Sequence, residues 1–203
     1  MHKLYELKKV KKILIATNNP GKFRELKEIL PKKIRYLKPK DFNLNEPVEN
    51  GKTFKENAKI KSVFAAKKSG LICISDDSGL EVDALDKKPG IFSARWAGKT
   101  KNFDIAIKKI FNLLNKIKKL NSKARFICAI SLAFPNGKSF EFQGKVEGKI
   151  SFPARGKKGF GYDPIFIAKG KKITFAQMNK KEKNLISHRF DAFKKIKKYF
   201  KFS

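Results

Sequence analysis

Asp76 and Asp77 stand side by side in the run Ser75-Asp76-Asp77-Ser78-Gly79. Adjacent carboxylates repel, so such a pair is costly unless a cation or hydrogen-bond donors sit beside it. Hard oxygen ligands suit Mg²⁺, which keeps part of its water shell and is bound through one or two carboxylates plus substrate phosphate. The same residues also suit an Asx-type turn with solvated side chains, and the motif alone divides evenly between the two readings. Glu46 and Glu49 are further acidic candidates, although acidic loop residues are common. Upstream, Asn18-Asn19-Pro20-Gly21-Lys22 is a cluster of turn formers. Downstream, Gly156-Lys157-Lys158-Gly159-Phe160-Gly161-Tyr162-Asp163 lets a backbone approach a ligand closely, with Phe160 or Tyr162 as a stacking face. Taken alone that stretch is more simply a surface loop with one buried aromatic. Ser187-His188-Arg189 adds the one histidine outside the N-terminal tail and a guanidinium fork suited to an oxygen-rich ligand. A lone histidine is more often structural than catalytic.

The pattern around these residues predicts the elements that position them. Ile13-Leu14-Ile15-Ala16-Thr17 reads as a buried strand, and Phe23, Leu26, Ile29 and Leu30 recur at helical spacing after the turn. Strand, polar loop and helix together aim backbone N–H groups at a phosphate, although the loop matches no P-loop consensus. Thr53-Phe54-Lys55-Glu56 has capping-box spacing and opens a helix to about Ser69, with Gly70 as its stop. Leu71 to Ile74 is predicted as the next buried strand, delivering the aspartate pair at its C-terminal end. An amphipathic helix is expected over Asn102 to Leu120. Strands over Ala124 to Phe134 and Ser139 to Ile150 meet at the hairpin signal Pro135-Asn136-Gly137-Lys138. A short strand, Ile165-Phe166-Ile167, precedes a last helix from near Lys181 to about Phe200. Alternating elements with one embedded hairpin make an α/β fold, a mixed central β-sheet flanked by helices.

Composition narrows the class. The 203 residues fit one domain, and 41% apolar content with 19 Phe excludes a disordered chain. Forty-nine Lys and Arg against 18 Asp and Glu give a formal charge of +31. Such a surplus suits nucleic acid or steering of a polyanionic substrate; scattered lysines are more simply solvated faces. Cys73 and Cys128 lie in apolar runs and read as buried small hydrophobes in a reducing compartment. With only His2 and His188, a zinc site built on several histidines is excluded. No apolar run is long enough for a membrane span, and residues 1–12 lack the features of a signal peptide, so a soluble cytoplasmic protein is expected.

Read together, six stretches resemble the inosine/xanthosine triphosphate pyrophosphatase family, the Ham1-like proteins. They are Ala16 to Lys22, Gly51-Lys52-Thr53-Phe54-Lys55-Glu56-Asn57-Ala58, Ser75 to Leu85, Pro89 to Gly98, Gly159 to Phe166 and Lys183 to Arg189. They occur in the family's order and cover about residues 13 to 197, and six ordered motifs are far more specific than any one of them. The resemblance implies an enzyme that hydrolyses non-standard purine nucleoside triphosphates (dITP, ITP, XTP) to the monophosphate and pyrophosphate, with Mg²⁺ as cofactor. It implies two lobes with the active site in the cleft between them, and a homodimer that needs neither membrane nor specific nucleic-acid binding. Residues 13–203 form the enzyme domain in this reading, and residues 1–12 a basic extension without an assigned role.

Site roles follow from the same resemblance. Thr17, Asn18, Asn19, Pro20, Gly21 and Lys22 hold the triphosphate. Asp77 is the general base and a metal ligand, Glu49 the second metal ligand, and Ser78 a substrate contact. Phe160, Gly161, Tyr162 and Asp163 form the base-binding loop, with Phe160 placed to stack. Lys183, His188 and Arg189 complete the substrate contacts. Mg²⁺ neutralises phosphate charge, a carboxylate positions or deprotonates the attacking water, and Lys22 and Lys183 stabilise charge on the leaving pyrophosphate. Donors from His188, Arg189 or backbone N–H groups facing a 6-oxo oxygen would reject adenine. The chain departs from the family pattern where the first loop reads Thr-Asn-Asn instead of Thr-Gly-Asn, and where Val48 replaces an acidic residue. The reading from a different class is a basic nucleic-acid-binding protein on this fold with a decayed site, which the presence of Lys22, Asp76, Asp77, Lys183, His188 and Arg189 disfavours.

Overall fold

A computed structural model of the chain describes residues 5–7 and 10–201. The elements, in chain order, are β1 (Tyr5–Glu6), β2 (Lys12–Ile15), α1 (Pro20–Ile29), β3 (Arg35–Leu37), α2 (Phe54–Ser69), β4 (Cys73–Val82) and α3 (Ser93–Trp96). They continue as α4 (Phe103–Lys116), β5 (Lys123–Ala133), β6 (Ser139–Ile150), β7 (Phe166–Ala168), α5 (Lys180–Ile186), α6 (His188–Tyr199) and β8 (Phe200–Lys201). One sheet has the order β3-β2-β4-β5-β6-β7, with β2 parallel to both β3 and β4 and β7 antiparallel to β6. The fold is therefore the mixed α/β sheet with flanking helices that the alternating pattern predicts. Among the described residues no helix is long and apolar enough to cross a membrane.

The chain divides into two compact units, each assembled from separated stretches. The first comprises Met1–Asp77, Cys128–Gly144 and Arg189–Ser203. In it β2 is buried on both faces, as its unbroken apolar run requires. Ile13 and Ile15 pack with Leu26 of α1 and Ala192, Phe193 and Ile196 of α6. Leu14 packs the other way, with Ala65 and Ala66 of α2 and with Cys73. The second unit comprises Ser78–Ile127 and Lys145–His188, with a core of Leu80, Ile110, Phe126, Tyr162, Phe166 and Phe175. There Phe126 stacks on Phe175 at 5.9 Å and meets Phe166 edge-on at 4.7 Å, so the phenylalanine surplus is spent largely on core.

Most expected boundaries hold. α2 starts at its Thr53 cap, whose hydroxyl accepts from Glu56 N at 3.1 Å, and stops at Gly70 in the left-handed region. The reciprocal bond of the expected capping box is displaced by one residue, because the Glu56 carboxylate accepts from Lys52 N at 2.6 Å instead of Thr53 N. The hairpin forms at the predicted turn, where Phe134 N donates to Lys138 O at 2.9 Å.

Three expectations change. The strand carrying the aspartates does not end before them: β4 runs through the motif to Val82, since Leu80 and Val82 are buried at alternate positions beyond it. The amphipathic helix ends at Lys116 and not Leu120, because Lys118 takes a left-handed conformation (φ 55°). The last helix is two helices: Ser187 is extended (φ −72°, ψ 156°), so α5 ends at Ile186 and α6 restarts at His188. Part of the N-terminal stretch also takes regular structure. Tyr5 and Glu6 pair in parallel with Phe200 and Lys201, and Leu7 is buried in the core.

Candidate active site

Neighbouring residues of a strand point to opposite faces. Running β4 through the acidic motif therefore separates the two carboxylates and gives each a different nearest cation. Asp76 is fully buried, and its Oδ2 accepts from Arg189 Nε at 3.2 Å and Nη2 at 3.1 Å, with Lys22 Nζ at 3.4 Å. The remaining Arg189 fork donates to Glu25 Oε2 at 2.7 Å. This Glu25–Arg189–Asp76 group lies inside the first unit, and the two carboxylates hold the guanidinium above its ordinary pKa against the opposing cost of burial. The break at Ser187 starts α6 at His188, so Arg189 lies in its first turn.

Asp77 is 6% exposed and faces α2. Asn57 Nδ2 donates to its Oδ2 at 3.2 Å, and Lys61 Nζ lies 3.9 Å from its Oδ1. Lys61 is committed more closely to Glu49, at 2.7 Å. At 3.9 Å it does not offset the burial of Asp77. Burial therefore pushes the Asp77 carboxyl above the usual carboxylate range; Lys22 and Lys61 pull it back, and Glu49 and Asp76 push it further up. Burial opposes the Lys61 charge, but Asp77, Glu49 and Asp76 together outweigh it and hold the ammonium above its ordinary value. A carboxylate whose pKa moves toward neutrality is a better proton acceptor at working pH than an ordinary one.

The first loop is held ready beside this pair. Asn19 caps α1, its Oδ1 accepting from Gly21 N at 2.9 Å and Lys22 N at 3.1 Å, with Pro20 as the first helical residue. Thr17 Oγ1 accepts from Asn19 N at 3.2 Å, and Asn18 N donates to Glu46 Oε1 at 3.1 Å. The loop that resembles a triphosphate holder is thus a capped helix N-terminus with Lys22 in its first turn.

Glu49 and Asp77 both face the Lys61 ammonium, and their carboxylate oxygens are the ligands a hard divalent ion requires. Among the described residues no three His, Cys, Asp or Glu form a closed metal cage. A divalent ion here would rest on one or two carboxylates and on the substrate's phosphates. The residues present fit such an ion.

The remaining candidates lie in the second unit. Asp163 Oδ2 accepts from Phe160 N at 2.9 Å and from Lys183 Nζ at 2.6 Å, both partners of a nearly buried carboxylate. Lys183 Nζ also lies 5.3 Å from the Phe160 ring centre. Asp163 therefore folds the Phe160-Gly161-Tyr162 loop back onto Lys183. Tyr162 is buried and donates to Ser93 O at 2.9 Å, which ties the loop to α3. His188 is buried and stacked on Phe126 at 4.9 Å. Ser78 is half-buried in β4.

The structure thus gathers Lys22, Asp77, Glu49 and Arg189 in one unit, and Phe160, Asp163 and Lys183 in the other. Lys61, Asn57 and Glu25 were not singled out by the sequence. The signal for Asn57 and Lys61 was a charged or amide residue in a row of otherwise buried helix positions: Asn57, Lys61 and Ala65 recur at i, i+4 spacing on α2.

A buried carboxylate beside lysines and a capped helix N-terminus, carried on a mixed α/β sheet, is an arrangement suited to chemistry on phosphate groups. Comparison narrows it. The sequence profile of the Ham1 family matches residues 13–199. The dITP/XTP pyrophosphatase of Zymomonas mobilis is 44% identical over 187 residues, covering 91% of this chain and 90% of that protein. The dITP/XTP pyrophosphatase of Bacillus subtilis is 44% identical over 191 residues, covering 93% and 96%. Among solved structures, the Ham1 protein of Staphylococcus aureus superposes with a TM-score of 0.81 at 40% identity, covering 93% of this chain and 97% of that one. A HAM1 protein from Coxiella burnetii gives a TM-score of 0.83 at 38% identity, covering 92% and 96%. The chain belongs to the Ham1 family.

Proposed function

We propose that this chain is a nucleoside-triphosphate pyrophosphatase that hydrolyses non-standard purine nucleoside triphosphates, dITP, ITP and XTP, to the monophosphate and pyrophosphate. The observation that carries the reading is the Asp77 carboxylate: buried, oriented by Asn57 and flanked by Lys61 and Lys22, in a chain similar over nine-tenths of its length to pyrophosphatases of that name. It supports a base that takes a proton from water as the water oxygen attacks the α-phosphorus. The bond to the bridging oxygen then breaks and pyrophosphate departs. Lys22 and Lys183 are assigned to the charge that gathers on it. A divalent ion, which we assign as Mg²⁺, would be held by Asp77 and Glu49 and would supply neutralisation of phosphate charge.

Thr17, Asn18, Asn19, Pro20 and Gly21 are assigned to the triphosphate, and Ser78 to the substrate. Phe160, Gly161, Tyr162, Asp163 and His188 are assigned to the base. Arg189 is assigned to the substrate contacts and also to the support of Asp76, since its three donating nitrogens meet Asp76 and Glu25. A homodimer is supported by the family relation and by exposed apolar side chains such as Phe92 and Ile105, of the kind that interfaces cover. The buried free thiols of Cys73 and Cys128 support a reducing, cytoplasmic setting.

The test is pyrophosphate release from dITP, XTP, dATP and dGTP with Mg²⁺, alongside Asp77→Asn. Turnover of dITP and XTP, reduced at least about 100-fold in the variant, is the expected result. Folded, Mg²⁺-supplied protein that turns over no triphosphate would overturn it.

A further inference from the structure

Asn57 occupies the fourth position of α2, is 1% exposed and carries a side chain whose two ends are both engaged. Gly51 N donates to its Oδ1 at 2.9 Å, and its Nδ2 donates to Asp77 Oδ2 at 3.2 Å. The two ends of an asparagine amide differ in chemistry, the oxygen accepting and the nitrogen donating. Here that difference fixes their positions. A backbone N–H only donates, so the atom facing Gly51 is the oxygen and the nitrogen must face Asp77. Asparagine is also a mediocre helix former whose side chain competes with the backbone, so its burial in a first turn is explained by tertiary bonds.

We infer that Asn57 is the positioning residue of the site, a single amide that fixes both the orientation of the Asp77 carboxylate and the loop that carries Glu49. With Oδ2 of Asp77 committed to the amide, Oδ1 is the oxygen presented to Lys61 and to whatever reacts there. Gly51 lies two residues beyond Glu49, so its bond to Asn57 sets where the Glu49 carboxylate reaches Lys61. The approach is close: a Cβ at Gly51 would come within 2.7 Å of Asn57 Oδ1 and of Glu56 Cβ. The helix face completes the device. Lys61 is one turn beyond Asn57, so both side chains reach the same aspartate from one side. Ser75, two residues before Asp77, donates to Ala58 O at 2.5 Å and anchors β4 to that turn of α2. Motif residues Gly51, Asn57 and Ala58 thereby acquire separate physical tasks. The inference rests on the reading of Asp77 as the catalytic base.

The experiment compares Asn57→Asp and Asn57→Ala with wild type in steady-state dITP hydrolysis, and follows the Asn57 side-chain amide by ¹⁵N NMR in wild type and in Asp77→Ala. Asn57→Asp has the same shape and keeps the acceptor for Gly51, but loses the donor to Asp77. It should lower kcat about 100-fold with KM within about threefold, because the new carboxylate repels Asp77 and no longer orients it while the loop stays anchored. Asn57→Ala releases the loop too and should also raise KM. The wild-type amide should show slow proton exchange and a shifted resonance, both lost in Asp77→Ala. A folded Asn57→Asp enzyme with wild-type kcat overturns the inference and leaves Asp77 as the base. Should Asn57→Asp not fold, or should wild type hydrolyse no triphosphate, the amide resonance decides. Its response to Asp77→Ala supports the assignment, and an indifferent amide overturns it.

Discussion

At the scale of single residues, the site is a set of buried charges that persist only because each has its counterion. Asp76 and Glu25 share the Arg189 guanidinium, and all three are less than one-tenth exposed. Removing the shared member of a buried ion group takes away the charge that compensates both carboxylates, which costs about 3–5 kcal/mol. Arg189→Met should therefore lower the unfolding free energy by about that amount, read as a lower midpoint in urea at neutral pH. If the midpoint stays put, water rather than Arg189 compensates Asp76 in solution. The sequence made the titratable members of this site visible as motifs: the aspartate pair, Lys22, Lys183 and Arg189. It did not pair Arg189 with Asp76, because a guanidinium suits a substrate oxygen and a protein carboxylate equally. Nor did it single out Lys61, since a lysine in a lysine-rich helix is unremarkable until its neighbours on that face prove to be buried.

At the scale of elements, local signals with their own geometry were legible and signals set by distant packing were not. The Thr53 cap, the Gly70 stop and the turn before Lys138 are decided by residues within one turn of each other. The extended Ser187 is decided elsewhere: Leu185, Ile186, Phe193 and Ile196 keep helical spacing across it. The strand β4 was read too short for a related reason. Two carboxylates interrupt an apolar pattern, and only the cations on either face make a strand tolerable there. Past them β4 runs tightly against the segment leading into α3. A Cβ at Gly79 would strike the carbonyl oxygen of Gly90 and the hydroxyl of Ser93, and the former is main chain that cannot swing aside. Gly79→Ala should cost about 1–3 kcal/mol as overpacking and lower the melting temperature by roughly 3–10 °C. An unchanged melting curve would mean that the Gly90 turn gives way freely.

At the scale of the whole molecule, the alternation of strands and helices was enough for a mixed α/β sheet and the family resemblance for two lobes, but which residues make up each unit was not readable, since each collects stretches far apart in sequence. The charge of +31 belongs to this scale as well. A field of that sign attracts a nucleoside triphosphate and is screened by salt beyond about 10 Å at 0.1 M ionic strength. Raising KCl from about 20 to 500 mM should lower kcat/KM for dITP by about tenfold while kcat changes little. A flat kcat/KM would make the lysine surplus a matter of solvation alone. The spread of the first unit along the chain also bears on the order of synthesis. A ribosome delivers Lys22, Asp76 and Asp77 early, but the guanidinium that balances Asp76 and Glu25 lies 113 and 164 positions later than those carboxylates. Until residue 189 has emerged, burying these carboxylates lacks that counterion, whereas every residue of the second unit has by then been made.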